Sequence, residues 1–113
     1  MSFIIGVYFV VACLGIYLLF KLFSKTPPKF IIGIIHGAVA LFGIGALIFY
    51  ISMAKGDTPY MSVFFFVIAL CIGGGMLATT MLKKKFPKWI AFIHIAFALA
   101  GIIVLYKFWI NTL

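Results

Sequence analysis

Four apolar stretches, separated by short polar breaks, constrain the fold of this 113-residue chain more than any other feature. A helix that crosses the hydrocarbon core of a bilayer needs about 20 apolar residues, and each stretch is that long. We predict membrane spans at residues 3–23, 30–52, 60–82 and 89–109. The breaks read SKTPPK, MAKGDTP and KKKFPK, and proline tends to end the helix that precedes it.

Composition excludes a water-soluble domain. The chain is 67% hydrophobic and 9% charged, its mean hydropathy is +1.37, and its only acidic residue is Asp57. This is too little charge to cover a surface in water. The breaks are too short for a soluble domain, so residues 1–113 are predicted to form one four-helix transmembrane bundle. The first span lacks a basic leading region and a cleavage site, so we interpret it as a permanent helix and not a signal peptide.

The positive charge predicts an orientation in the membrane. The net charge is +8, and seven of the nine basic residues flank the first and third breaks. These seven are Lys21, Lys25, Lys29, Lys83, Lys84, Lys85 and Lys88. Lysine-rich loops stay in the cytoplasm, so both termini are expected outside the plasma (inner) membrane. The lysines are expected to meet anionic lipid head groups of the bilayer, and no nucleic-acid partner is predicted.

The sequence also repeats itself at a shift of 58 residues. HGAVALFGIGAL, which begins at His36, and HIAFALAGIIVL, which begins at His94, are identical at seven of twelve positions. The shift also pairs Cys13 with Cys71 and Gly15 with Gly73. We interpret the chain as a tandem duplication of a two-helix hairpin, with repeats at about 3–55 and 61–113. Parallel repeats of this kind are related by an axis along the membrane normal, which would place the two histidines at one depth.

Small residues flank each histidine on its own helical face, at positions −3, +4 and +7. These positions hold Gly33, Ala40 and Gly43 around His36, and Ala91, Ala98 and Gly101 around His94. The neighbouring helices place Gly15 and the GGG run at 73–75 within about a turn of the same level. Such surfaces allow close packing of transmembrane helices. They also allow a flat cofactor to enter a bundle between facing side chains.

Paired histidines with small flanking residues resemble the small bis-histidine b-type cytochromes of membranes, which are four-helix bundles. The resemblance covers the architecture of the whole chain. It implies one haem b, with His36 and His94 as axial ligands of the iron and the six small residues beside the macrocycle. Lys29 and Lys88 are candidate partners of the haem propionates, and Lys25 and Lys83 are further candidates. The implied role is electron transfer or haem handling, and any catalysis would be that of a haem-dependent oxidoreductase. Quinone, a redox protein and a second copy of the chain stay open as partners.

Three alternatives use the same residues differently. Cys13 and Cys71 with the two histidines form a Cys₂His₂ set suited to a metal, although the cysteines lie about one turn deeper. The histidine pair is also suited to a small metal or proton transporter. The small multidrug resistance transporters have a similar length but depend on a membrane glutamate, and this chain has none. A structural assembly protein would use the small residues for helix packing alone.

Overall fold

The structure, a computed structural model, describes residues 1–26 and 28–113 and folds them into four α-helices. The helices are α1 (Ser2–Leu22), α2 (Phe30–Met53), α3 (Tyr60–Met81) and α4 (Lys88–Asn111). Each is long and apolar enough to cross a membrane, so the prediction of an all-α chain with four such helices is confirmed. Predicted and observed helix ends differ by at most two residues. Pro27, in the first predicted break, lies outside the described residues.

The lysine-rich breaks supply the backbone conformations that start and end helices. Lys29 and Pro87 precede α2 and α4 with extended backbone, at ψ of 132° and 133°. Lys83 follows α3 in the left-handed region, at φ 56°. Its N–H donates to the carbonyl of Thr80, and that of Lys84 donates to the carbonyl of Thr79, both at 3.0 Å. This is the Schellman pattern, with a cation at the negative end of the helix dipole.

The four helices form a bundle with extents of 47, 22 and 20 Å. Each helix contacts its neighbours, α1 with α2, α2 with α3, α3 with α4 and, least extensively, α1 with α4. Among the described residues, the backbones of the diagonal pairs α1/α3 and α2/α4 do not come into contact. Side chains of α2 and α4 can therefore meet only at the bundle axis. The long extent is close to the thickness of a bilayer with its head groups, about 40–45 Å.

One pair of stacked rings lies in the half of the bundle that holds both chain termini. The ring centroids of Tyr8 and Phe66 lie 4.1 Å apart, and the ring planes differ by 11°. A β-carbon built on Gly43 would lie 3.1 Å from the ring of Tyr8, and one built on Gly101 would lie 2.6 Å from the ring of Phe66. Each ring thus packs against a backbone that carries no side chain. We call these four residues the aromatic layer.

Structural features recur in pairs that are 58 residues apart. The first residues of α1 and α3 show this spacing, as do those of α2 and α4. The aromatic layer pairs Tyr8 with Phe66 and Gly43 with Gly101 at the same spacing. The next turn toward the termini holds Leu47 and Leu105, which are 0% and 1% exposed, with Ile4 and Ser62 also buried. Several positions that are 58 residues apart are therefore buried together in the same part of the bundle.

The aromatic layer gives a testable prediction for stability. Gly101→Ala is expected to lower the free energy of unfolding by about 1 kcal/mol, because overpacking costs about 1–3 kcal/mol and alanine returns about 1 kcal/mol of helix propensity. Gly45→Ala is the matched control, since no described atom lies within 4 Å of a β-carbon built there. Unfolding by SDS in mixed micelles measures both variants. Equal stabilities would show that Phe66 moves aside without cost.

Candidate functional site

The two histidines face each other across the bundle axis. Each is the seventh residue of its helix, His36 in α2 and His94 in α4. These helices are diagonal partners, and the imidazoles bridge the space between them. The ring centroids lie 6.3 Å apart and the ring planes differ by 72°. Both side chains are partly buried. The structure therefore brings together the two residues that carry the sequence hypothesis.

Each imidazole lies against a glycine of the preceding helix. A β-carbon built on Gly15 of α1 would lie 3.2 Å from Cε1 of His36. One built on Gly73 of α3 would lie 2.9 Å from Cε1 of His94 and 3.3 Å from its Nδ1. Real β-carbons are not found below about 3 Å from such an atom, so Gly73 is required for this position of the ring. The two glycines set how far each imidazole lies from its neighbouring helix.

A backbone hydrogen bond fixes the protonation pattern of one histidine. Nδ1 of His94 lies 2.7 Å from the carbonyl oxygen of Ala69. A carbonyl only accepts, so Nδ1 carries the hydrogen and donates it. In the neutral ring, Nε2 then holds a free lone pair on the other side of the imidazole. Nδ1 of His36 is buried, and the contact of His36 with the backbone of Val11 falls outside strict hydrogen-bond geometry.

The separation of the imidazoles fits a metal between them. An imidazole nitrogen binds a metal at about 2.0–2.1 Å, and the centre of the ring lies about 1 Å beyond that nitrogen. Two imidazoles on opposite sides of one metal therefore have ring centroids about 6 Å apart. The observed value is 6.3 Å. Direct edge-to-face packing of rings spans about 4.5–7 Å and includes the same value. The separation of the imidazoles is therefore compatible with a metal between them. Whether a flat cofactor can enter depends on the space beside the rings.

A cavity of about 300 Å³ borders both imidazoles at the lysine-rich end of the bundle. All four helices line it, mostly with apolar side chains. Ile16 of α1 and Leu99 of α4 belong to the lining and are 54% and 52% exposed, so the cavity opens to the bundle surface between these helices. Its volume is at the lower end of ligand sites, about 300–1,000 Å³. A wide, flat ligand would extend through this opening.

Six of the ten residues predicted for the site border the cavity. These are His36, His94, Gly33, Ala91, Ala98 and Lys29. Ala40, Gly43, Gly101 and Lys88 are not part of its lining. Gly43 and Gly101 lie in the aromatic layer instead, because the seven residues that separate each of them from its histidine span about 10 Å of helix. The small residues predicted to surround one site therefore lie at different levels of the bundle, some beside the cavity and some in the aromatic layer.

The lysines near the site differ in their surroundings. Lys29, the residue that precedes α2, borders the cavity. Nζ of Lys88 lies 5.0 Å from the ring centroid of Phe23, in a cation–π contact. The only acidic residue of the chain, Asp57, lies in the connection between α2 and α3, at the other end of the bundle. Lys29 therefore has no carboxylate of this chain near it and is available to an anionic ligand.

The cysteines lie away from the histidines. Cys13 and Cys71 are both free and exposed on the bundle surface. Within residues 1–26 and 28–113, no three histidine, cysteine or acidic side chains come close enough to hold a metal ion together. The alternative of a four-ligand Cys₂His₂ site is therefore wrong. Mid-span cysteine acts here as a small apolar residue.

Several residues of the site were missed in the sequence. The Ala69 carbonyl engages His94, and Met76, Leu77 and Thr80 of α3 line the cavity. The shift of 58 residues pairs Ala69 with Val11, and that pair is not identical. The pairing of Tyr8 with Phe66 in the aromatic layer was missed for the same reason. A search for paired positions without a requirement of identity would have found the pairing of Tyr8 with Phe66, but it would not have found the role of the Ala69 carbonyl.

Comparison with known proteins gives no match. No protein-family model, no curated protein and no solved structure matches the chain. A functional assignment therefore depends on the geometry and chemistry of the described residues.

Proposed function

We propose that this chain is a membrane-embedded b-type cytochrome that holds one haem b between His36 and His94 and transfers electrons. The observation that carries the proposal is the pair of imidazoles at 6.3 Å, one of which has Nδ1 engaged by a carbonyl. Histidines that bind metals nearly always donate their other N–H to a carbonyl, a carboxylate or water. His94 has this arrangement and keeps Nε2 for a metal.

The residues around the histidines also support the proposal. Gly33, Ala91 and Ala98 border the cavity without filling it. Lys29 offers a cation at the cavity edge for a propionate, and charge-assisted hydrogen bonds of this kind are the strong ones. A bound haem b would supply a one-electron iron couple, with its potential set by the axial ligands and by burial.

The proposal includes a placement in the membrane. The four helices insert as two parallel hairpins, with both termini outside and the lysine-rich end in the cytoplasm, supported by the seven lysines at that end. The histidines then lie in the cytoplasmic half of the bilayer. An electron partner would reach them from the cytoplasm or from within the bilayer, which admits a redox protein or a quinone.

An absorption spectrum tests the proposed function. We expect protein purified from haem-replete cells to contain one haem per chain and to show, on reduction, a sharp Soret band with split α and β bands. Those bands report low-spin iron with two axial ligands. A redox titration would then separate electron transfer from haem handling, because a carrier must cycle reversibly between both oxidation states. Colourless preparations would contradict the proposal.

A bundle without cofactor is the second candidate function. The 72° angle and the 6.3 Å separation also suit direct edge-to-face packing of the two imidazoles. A structural membrane protein would use this contact to hold α2 and α4 together at the axis. The same spectrum separates the two candidates, because only the first predicts a haem signal.

A further inference from the structure

The two imidazoles, which are equivalent in the sequence repeat, differ in their surroundings. Nδ1 of His94 donates to Ala69 at 2.7 Å. Val11 occupies the equivalent place in the first hairpin, and its backbone makes only a looser contact with His36. This contact falls outside strict hydrogen-bond geometry. The two hairpins therefore present one imidazole held by a short hydrogen bond and one held by a weaker contact.

This difference has a consequence for the strength of each ligand. The hydrogen bond of His94 fixes its tautomer and its ring orientation and makes Nε2 more basic. The contact of His36 with Val11 is weaker, so the ring orientation and the tautomer of His36 are less firmly fixed. The glycine beside His36 is also less tight, at 3.2 Å from Cε1 against 2.9 Å for His94.

We propose that His94 anchors the haem and that His36 is an exchangeable ligand, so that a small neutral molecule such as carbon monoxide can take its place on the reduced iron. The inference rests on the proposed function. In the exchange, the bond from Nε2 of His36 to the metal breaks and a metal–carbon bond forms, with no electron or proton transferred. Loss of the hydrogen bond made by the other nitrogen of a metal-binding histidine changes metal affinity about 10–100-fold, which sets the expected difference between the two histidines.

The asymmetry can be tested without any haem. The full-length chain is labelled with nitrogen-15 histidine in detergent micelles, and His36→Ala assigns the two sets of imidazole signals. We expect His94 to show one tautomer, with its hydrogen on Nδ1, and His36 to populate both tautomers. Identical tautomer populations for the two histidines would overturn the proposal.

Haem titration tests the consequence. Haemin is added to the wild type, His36→Ala and His94→Ala in the same detergent. We expect His94→Ala to weaken haem binding at least 10-fold more than His36→Ala, which should keep a five-coordinate, high-spin haem. Carbon monoxide added to the reduced wild type should change the absorption spectrum from that of a bis-histidine haem to that of a haem with carbon monoxide as one ligand. The inference would be overturned if both variants lost the same haem affinity, if His36→Ala lost more than His94→Ala, or if the reduced wild type did not react with carbon monoxide.

The two experiments separate failure of this inference from failure of the proposed function. A wild type that takes up no haem contradicts the cytochrome proposal, and the nitrogen-15 measurement then still decides whether the imidazoles differ. A wild type that binds haem with two equally strong histidines keeps the cytochrome proposal and contradicts the asymmetry alone.

Discussion

Gly73→Ala is expected to reduce haem affinity at least tenfold without unfolding the bundle. The new β-carbon would lie 2.9 Å from Cε1 of His94 and 3.3 Å from its Nδ1. Because the clash is with the imidazole itself, the ring must turn or shift, and the 2.7 Å hydrogen bond to Ala69 is lost. A hydrogen bond of this kind contributes about 0.5–1.5 kcal/mol, and about 1.4 kcal/mol is a factor of ten in affinity. Displacement of Nε2 from its position adds to this loss.

The adjacent glycine provides the matched control. No described atom lies within 4 Å of a β-carbon built on Gly74, which belongs to the same run of three glycines. Gly74→Ala should therefore keep haem affinity and gain helix propensity. Haemin titration followed at the Soret band measures both variants, and circular dichroism checks that the helices persist. Equal affinity in the two variants would show that Gly73 does not position His94.

Leu47→Ala is expected to produce the largest loss of stability, about 2 kcal/mol. Leu47 is 0% exposed and belongs to the buried cluster next to the aromatic layer. In soluble proteins, a buried Leu→Ala change costs about 2–5 kcal/mol. In a membrane the transfer part of this cost is small, because lipid is as apolar as leucine, and the loss of packing remains. Unfolding by SDS in mixed micelles gives the free-energy difference.

Leu41→Ala, on the same helix, is the control for that experiment. Leu41 is 58% exposed on the surface of the bundle, so its truncation leaves no internal cavity. A change within about 0.5 kcal/mol is expected. If both variants lost the same stability, the packing of Leu47 would not be what holds this half of the bundle together.

The architecture was largely predictable from the sequence because it depends on long-range composition. The length of the apolar stretches and the prolines between them fix four helices, and their ends were predicted to within two residues. The interpretation of the chain as a repeat predicted one depth for His36 and His94, and a meeting of the two only if both face the axis, a condition that the sequence did not specify. Their separation of 6.3 Å is a property of packing that no spacing in the sequence specifies.

The details of the site depend on which faces of the helices turn inward. All four helices are apolar around their whole circumference, so hydrophobic periodicity does not distinguish the inner face. Gly43 and Gly101 share a helical face with the histidines and were therefore predicted to flank the cofactor. The structure places them under the rings of Tyr8 and Phe66, two turns away. The role of Ala69 depends on a backbone carbonyl, which side-chain patterns do not reveal.

The aromatic layer has a consequence for access to the histidines from the end of the bundle that holds the chain termini. Beyond the histidines, the interior is closed by stacked rings and by leucines that are at most 1% exposed. The buried hydroxyls of Tyr8 and Ser62 make no hydrogen bond to any residue that the structure describes. The described side chains of this part of the interior therefore form no hydrogen-bonded chain for proton transfer. In the membrane placement proposed above, the aromatic layer would therefore separate the histidines from the side of the membrane that holds the chain termini.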